Sequence, residues 1–245
     1  LYHTNWVAER TINWMKSLQD EDDWFCWMSF PDPHHPWDLP KSEMSRLNWE
    51  DVPLPSLYLE TDAERRALLA EKPKHWLGYY EGSLWTNLES PREFVPANMT
   101  PDQIREINAM THIENELIDE ACGRVVNWLE LRGWVNDTDI FFTTDHGEFQ
   151  GDFGLLFKGP YHIDALMRLP FIWKPAGGIY PENVQSPVGH LDLAPTFCDI
   201  ADIEIPDYME GKPLPKSEKE AIGREFVLTE WDSEHGPIDM HLKSI

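Results

Sequence analysis

Residues 140–160 read IFFTTDHGEFQGDFGLLFKGP. Three apolar residues, Ile140, Phe141 and Phe142, lead into two threonines and break at Asp145-His146-Gly147. Aromatic and β-branched residues bounded by Asp and Gly predict a strand over 138–144. In layered α/β sheets, ligands bind beyond the C-terminal ends of strands. A carboxylate and an imidazole there can both hold a divalent metal, and Gly147 lets the backbone turn sharply. Two ligands do not complete a site, and a capping Asp beside a structural histidine fits the same residues. Glu148 and Asp152 read either as groups supporting such a site or as solvated loop. Farther on, Lys158 stands between Phe157 and Gly159. A lysine in a partly apolar setting suits a sulfate or phosphate oxygen, although a snorkelling surface lysine has the same appearance.

The segments around this stretch set its context. Thr100-Pro101-Asp102-Gln103 is a helix start with a threonine cap and proline at the first helical position, and Gly133 closes a helix running to about Arg132. Upstream, the uncharged run WFCWMSF (24–30) reads as a buried strand of the kind found in parallel sheets. It exits into PDPHHPW (31–37), a loop stiffened by three prolines. His34 or His35 there can act as a general acid for a leaving oxygen, but two adjacent histidines are not expected to face one site together. Residues 3–18 carry a helical apolar pattern, whereas 38–98 show no long periodic element. Downstream, 169–175, 225–231 and 241–245 read as strands, and 190–201 as a helix beginning near Pro195 with Asp192 as its cap. The alternation of strands with a long helix predicts an α/β layered fold.

Composition limits the function classes. The chain has 245 residues, 44 acidic against 20 basic, and a formal net charge of -24. A field of that sign repels nucleic acid and anionic lipid, so neither is expected as a partner. An anionic substrate would need local positive charge from a metal or a lysine. Cys26, Cys122 and Cys198 are odd in number and widely spaced, with no metal-binding or disulfide pattern, and read as small hydrophobes. No apolar run approaches the roughly 18 residues of a membrane span. The chain opens mid-pattern on Leu1 and is read as a fragment, which leaves its compartment open.

In this order, the pieces resemble the sulfatase family of the alkaline phosphatase superfamily. FCWMSFPDPHHPW (25–37) is similar to the family's strand and Pro-His loop. Residues 118–148, ending in IFFTTDHGE, resemble its long helix, turn and metal-bearing strand. GDFGLLFKGPY (151–161) is similar to its lysine loop, and MRLPFIWKPAGG (167–178) and HLDLAPTFCDIADIEIP (190–206) to the strand and helix that follow. The resemblance covers roughly residues 1–235. It implies a mixed, largely parallel sheet flanked by helices, truncated at both ends, with 1–205 as the C-terminal part of the catalytic domain and 206–245 as the start of a smaller subdomain.

The resemblance also implies roles. Asp145 and His146 would ligate one divalent cation, calcium by the family's usual habit, with manganese or zinc as alternatives better suited to imidazole. Lys158 would bind the sulfuryl or phosphoryl oxygens, and His34 would protonate the leaving alkoxide. The family nucleophile is a formylglycine made from cysteine, or a serine, in a Cys/Ser-x-Pro/Ala-x-Arg context. None of the three cysteines here has that context, and the N-terminal aspartate pair is also absent. The nucleophile is therefore expected in a missing N-terminal part, and Phe153 stands where the family often has histidine. The implied function is a metal-dependent sulfuric ester hydrolase acting on a small-molecule or carbohydrate sulfate. The alternatives are a phosphonate or phosphate ester hydrolase of the same superfamily, for which His146 speaks, and a non-catalytic carbohydrate-binding relative. Trp37, Trp76, Tyr79, Tyr80 and Trp85 could line a pocket or fill a core.

Overall fold

Helix α4 (Pro101–Arg132) is the spine of the molecule, and its ends are written in the sequence. The Thr100 hydroxyl accepts from the Gln103 N–H at 3.2 Å, and the Gln103 side chain accepts from the Thr100 N–H at 2.9 Å. This reciprocal box satisfies two N–H groups that the first turn would otherwise leave unpaired. Gly133 closes the helix with φ 81°, the left-handed geometry that glycine adopts without a Cβ penalty. The coordinates are a computed structural model, and they describe residues 2–84, 94–177, 183–221, 223–235 and 238–245. Trp85 and Gly178 lie outside the described residues.

Apolar residues recur on α4 at helical spacing and feed two cores. Its C-terminal half presents Ala121, Val125 and Leu129 to Ala8 and Met15 of α1 (His3–Met15), with Ile140 packed against the same cluster. Its N-terminal half presents Ile104 and Ile107 to a second core. That core is built on α2 (Asp62–Ala70), α3 (Lys74–Tyr80) and the loop after Gly147. Neither short helix is anticipated from the apolar pattern. Tertiary packing carries them, since helices of nine and seven residues are marginal alone. Trp76, Tyr79 and Tyr80 are buried in this core and Trp37 packs against it, so these rings are core rather than a sugar-binding face.

Strand β1 (Ile140–Thr143) pairs antiparallel with β2 (Phe171–Lys174), matching Phe141 with Trp173 and Thr143 with Phe171. The Phe141 and Trp173 rings stack at 5.1 Å, and Phe141 meets Phe197 of α6 (Leu193–Ile200) edge-on at 5.2 Å. A second antiparallel pair joins β3 (Thr229–His235) and β4 (Ile238–Ser244). The pairing starts four residues later than the 225–231 expectation and takes in 241–244. Helix α6 begins at Leu193, ahead of the expected Pro195. Asp192 does not cap it. Its carboxylate accepts from the Gly189 and Lys212 N–H groups and from Arg224 instead.

The α/β character is present, but the largely parallel sheet is not formed among the described residues, where both ladders are antiparallel. A parallel crossover needs a dozen or more residues, usually helical. Between β1 and β2 lie a 3-10 turn (Asp152–Gly154) and α5 (Asp164–Met167), both too short to be such a crossover helix. The strand expected at 24–30 is corrected as well. Trp24, Met28 and Phe30 pack on the α1–α4 core, while Phe25 and Trp27 are 63% and 68% exposed. No backbone hydrogen bond joins 24–30 to another described residue. The alternation is a strand's, but a ladder needs a partner, and none is supplied here. No helix among the described residues is long and apolar enough to cross a membrane.

Candidate active site

The end of β1 is fixed by close backbone contact with α5. The Gly147 N–H donates to the Leu166 carbonyl at 3.0 Å. A Cβ on Gly147 would lie 1.9 Å from the Ala165 carbonyl oxygen. Gly147 is not among the glycines with positive φ. It serves this close approach, and the sharp turn expected from the sequence is not its role. Gly147→Ala should therefore push β1 and α5 apart, costing about 2–3 kcal/mol as overpacking does and lowering the melting temperature by roughly 5–10 °C. A scanning calorimetry shift below about 2 °C would show that the contact yields easily.

Asp145 and His146 leave the strand side by side. The Nδ1 of His146 lies 2.9 Å from the Gly147 carbonyl, and donation there selects the tautomer with Nε2 as the ligand nitrogen. That Nε2 is 3.5 Å from Asp145 Oδ2. Two ligands of one cation, with bonds of about 2.0–2.4 Å, sit roughly 3 Å apart, so the pair needs little movement to share an ion. The Asp145 side chain is 82% exposed. Desolvation pushes its carboxyl up. The charge of His146, backbone N–H groups and the Thr144 hydroxyl outweigh that and hold it below the usual carboxylate range. Among the described residues no group of three or more His, Cys, Asp or Glu is arranged to hold a metal. The pair thus presents two ligand-capable groups side by side, with no third among the described residues.

Lys158 is carried on a tight loop. The Phe149 N–H donates to the Phe157 carbonyl, and the Gly151 N–H to the Leu155 carbonyl, both at 2.9 Å. Gln150, Phe153 and Phe157 have φ of 50°, 59° and 62°, a region costing non-glycine residues about 1–2 kcal/mol each. Phe157 is held there by burial against His35, at 4.5 Å between rings, and Trp37, at 6.1 Å. The next residue is thereby aimed, and Lys158 Nζ comes to 3.3 Å from Glu148 Oε1. The contact is a Coulombic ion pair and not a well-directed hydrogen bond, because no hydrogen-bond geometry is met at Nζ. Burial pushes the Glu148 carboxyl up, opposed by Lys158, His146 and His34. One half-buried carboxylate thus responds to Lys158 and to both histidines.

His34 and His35 have stacked rings, 4.2 Å apart with 23° between planes. Burial separates their roles, since His35 is buried against Phe157 and His34 is exposed. The Nδ1 of His34 lies 2.5 Å from the His35 carbonyl, which orients the ring. The structure therefore pairs Lys158 with Glu148, a residue the sequence left undecided, and pairs Asp145 with His146, while His146 and His34 act on Glu148 through their charge. Its signal was position, two residues past His146 and facing the only lysine of the loop. His190 joins the same strand end, with Nε2 3.4 Å from the Thr143 hydroxyl.

A family model described as Sulfatase matches residues 1–203. The chain is 27% identical over 230 residues to the uncharacterized sulfatase YidJ of Escherichia coli K12, covering 94% of this chain and 42% of that protein. It is 27% identical over 244 residues to an arylsulfatase of Clostridium perfringens, covering 93% and 44%. It shares the fold of the phosphonate monoester hydrolase SpPMH from Silicibacter pomeroyi, with a TM-score of 0.78 at 24% identity over 98% of this chain and 46% of that one. The chain spans less than half the length of these relatives.

Proposed function

The chain belongs to the sulfatase family, and from that premise we propose that it carries the cation-and-lysine side of the active site of a metal-dependent sulfuric ester hydrolase. The observation that supports this is the Lys158–Glu148 ion pair at 3.3 Å, with a Glu148 carboxyl that also responds to the charges of His146, the neighbour of Asp145, and of His34. Asp145 and His146 would hold a divalent cation, which when bound lowers the pKa of a nucleophile and neutralises an anionic ester. Calcium is the first assignment, with manganese or zinc favoured by the imidazole. Lys158 places positive charge on the non-bridging oxygens as their charge grows. His34, oriented through Nδ1, delivers a proton to the leaving alkoxide from Nε2. The remaining ligands and a formylglycine nucleophile are assigned to sequence outside these residues. The same proposal takes β1 as a strand of a larger, partly parallel sheet, with 1–205 as the C-terminal part of the catalytic domain and residues 206–245 beginning a smaller subdomain. The substrate is a small-molecule or carbohydrate sulfate ester.

His146 favours a second reading, a phosphonate or phosphate ester hydrolase on the same scaffold, because imidazole at a cation suits softer metals than calcium. The deciding experiment uses the full-length protein, stripped of metal and resupplied with calcium or manganese. Its rates on an aryl sulfate and an aryl phosphonate monoester are compared. Faster, metal-restored sulfate cleavage is the expected result. Preference for the phosphonate would move the function to the second reading. A folded, metal-loaded protein inert on both would overturn the hydrolase assignment.

A further inference from the structure

Beneath the His34 loop lies a buried polar cluster that the proposed chemistry does not use. His3 and Thr4, at the start of α1, bond the two carboxylate oxygens of Asp32: His3 Nε2 meets Oδ1, and the Thr4 hydroxyl donates to Oδ2. Asp32 and Thr4 are buried, and Asp32 precedes His34 by two residues. The His34 N–H donates to the Pro31 carbonyl at 3.1 Å, so the loop that carries His34 is rooted beside Asp32. Helix α4, packed on α1, adds Glu114. It is 0% exposed, and neither carboxylate oxygen has a hydrogen-bond partner among the described residues. A charged carboxylate without partners is expensive to bury, and a second negative charge nearby makes it more so.

We propose that Glu114 is a positioning residue for His34, acting through Asp32: uncharged, it lets α1, α4 and the loop close together, and charged, it repels Asp32 and loosens the loop's root. The groups whose charges act with it are Tyr2, the residue before α1, and Asp32 and Asp38 from the loop. His3 lies beyond Asp32 and is engaged by it. Burial first, then Asp32 and Asp38, push the Glu114 carboxyl up to about 8. The loosening therefore falls in the mildly alkaline range.

The functional consequence rests on the reading of His34 as the general acid, but the test does not. Hydrogen exchange is measured on wild type and Glu114→Gln, and protection factors are compared for the amides of His34 and Asp38, which donate to the Pro31 and Pro36 carbonyls at 3.1 and 2.9 Å. Wild type should lose protection at least tenfold between pH 7 and pH 9, and Glu114→Gln should stay within threefold. Equal losses in both, or none in wild type, would overturn the proposal. A measurement that needs no variant is the carboxyl carbon resonance of Glu114 in wild type. It should titrate near pH 8, and a midpoint below pH 6 would overturn the proposal even if Glu114→Gln failed to fold. In the active full-length enzyme, kcat for a poor leaving group should fall above pH 8 with KM unchanged, and Glu114→Gln should abolish that fall.

Discussion

Lys158→Ala in the full-length protein is expected to lower kcat for aryl sulfate hydrolysis by about 10²–10³-fold, the scale of removing one preorganised charge from a developing oxyanion. The argument starts from the loop. Phe157 is held at positive φ by its packing on His35 and Trp37, so the loop is organised to aim the residue that follows. Lys158 and Glu148 are only 22% and 18% exposed, which keeps water from screening the ammonium. Removing the lysine also leaves the half-buried Glu148 without its cation, so the variant should lose stability as well as activity. The double variant Lys158→Ala/Glu148→Gln separates the two effects. It should recover much of the stability and none of the rate. Lys158→Arg should recover little rate, because a planar guanidinium does not replace a compact point charge. Steady-state kinetics with thermal melts on the four proteins give the answer. A Lys158→Ala enzyme within threefold of wild type kcat would mean that the lysine only stabilises the loop.

How far the sequence could be read depended on whether the signal was local. Helix α4 was legible at both ends because its cap, Gln103 and Gly133 lie within a turn of the residues they serve. Strand β1 and its Asp-His end were legible because a short run of apolar aromatic and β-branched residues bounded by Asp and Gly suffices to mark them. Helices α2 and α3 were not, although Thr61 and Glu64 form a capping box that names the start of α2. Their apolar residues are too few for a periodic pattern and acquire meaning only against Phe149 and Leu155. The segment 24–30 shows the opposite failure. Its composition reads correctly as strand-like, yet pairing is a property of two segments, and no described segment supplies the second. At the site, the residue types were legible but not their arrangement. Gly147 looked like a turn glycine and serves a backbone contact with Ala165, which lies 18 positions away in sequence. Glu148 looked optional until folding placed Lys158 on it. Asp32 and Glu114 could not be connected at all from sequence, because only the packing of α1, α4 and the loop into one network brings the two charges within reach of each other.

That network makes its own prediction for stability. Glu114→Gln is expected to leave stability near wild type at pH 5 and to exceed it progressively as pH rises toward 8. The folded protein holds the Glu114 proton up to about pH 8, against an ordinary glutamate value of 4.5. Between those values the unfolded chain has released a proton that the folded protein retains, so the unfolded state binds fewer protons and wild-type stability falls with rising pH. The loss is complete once the folded form also ionises, above about pH 8, and amounts to on the order of 4 kcal/mol for a displacement of this size. Glutamine has no proton to lose, so its curve omits this component and the gap between the proteins should open by roughly 8–16 °C in melting temperature. The glutamine amide and the protonated carboxyl are alike without a partner, so that cost is common to both proteins at pH 5 and does not tilt the variant's curve. The slope is therefore the quantity to read. Denaturant melts of both proteins from pH 5 to pH 9 should give a steeper decline for wild type. Parallel curves would mean that Glu114 ionises in the folded protein at an ordinary pH, and that the buried carboxylate is compensated by a partner outside the described residues.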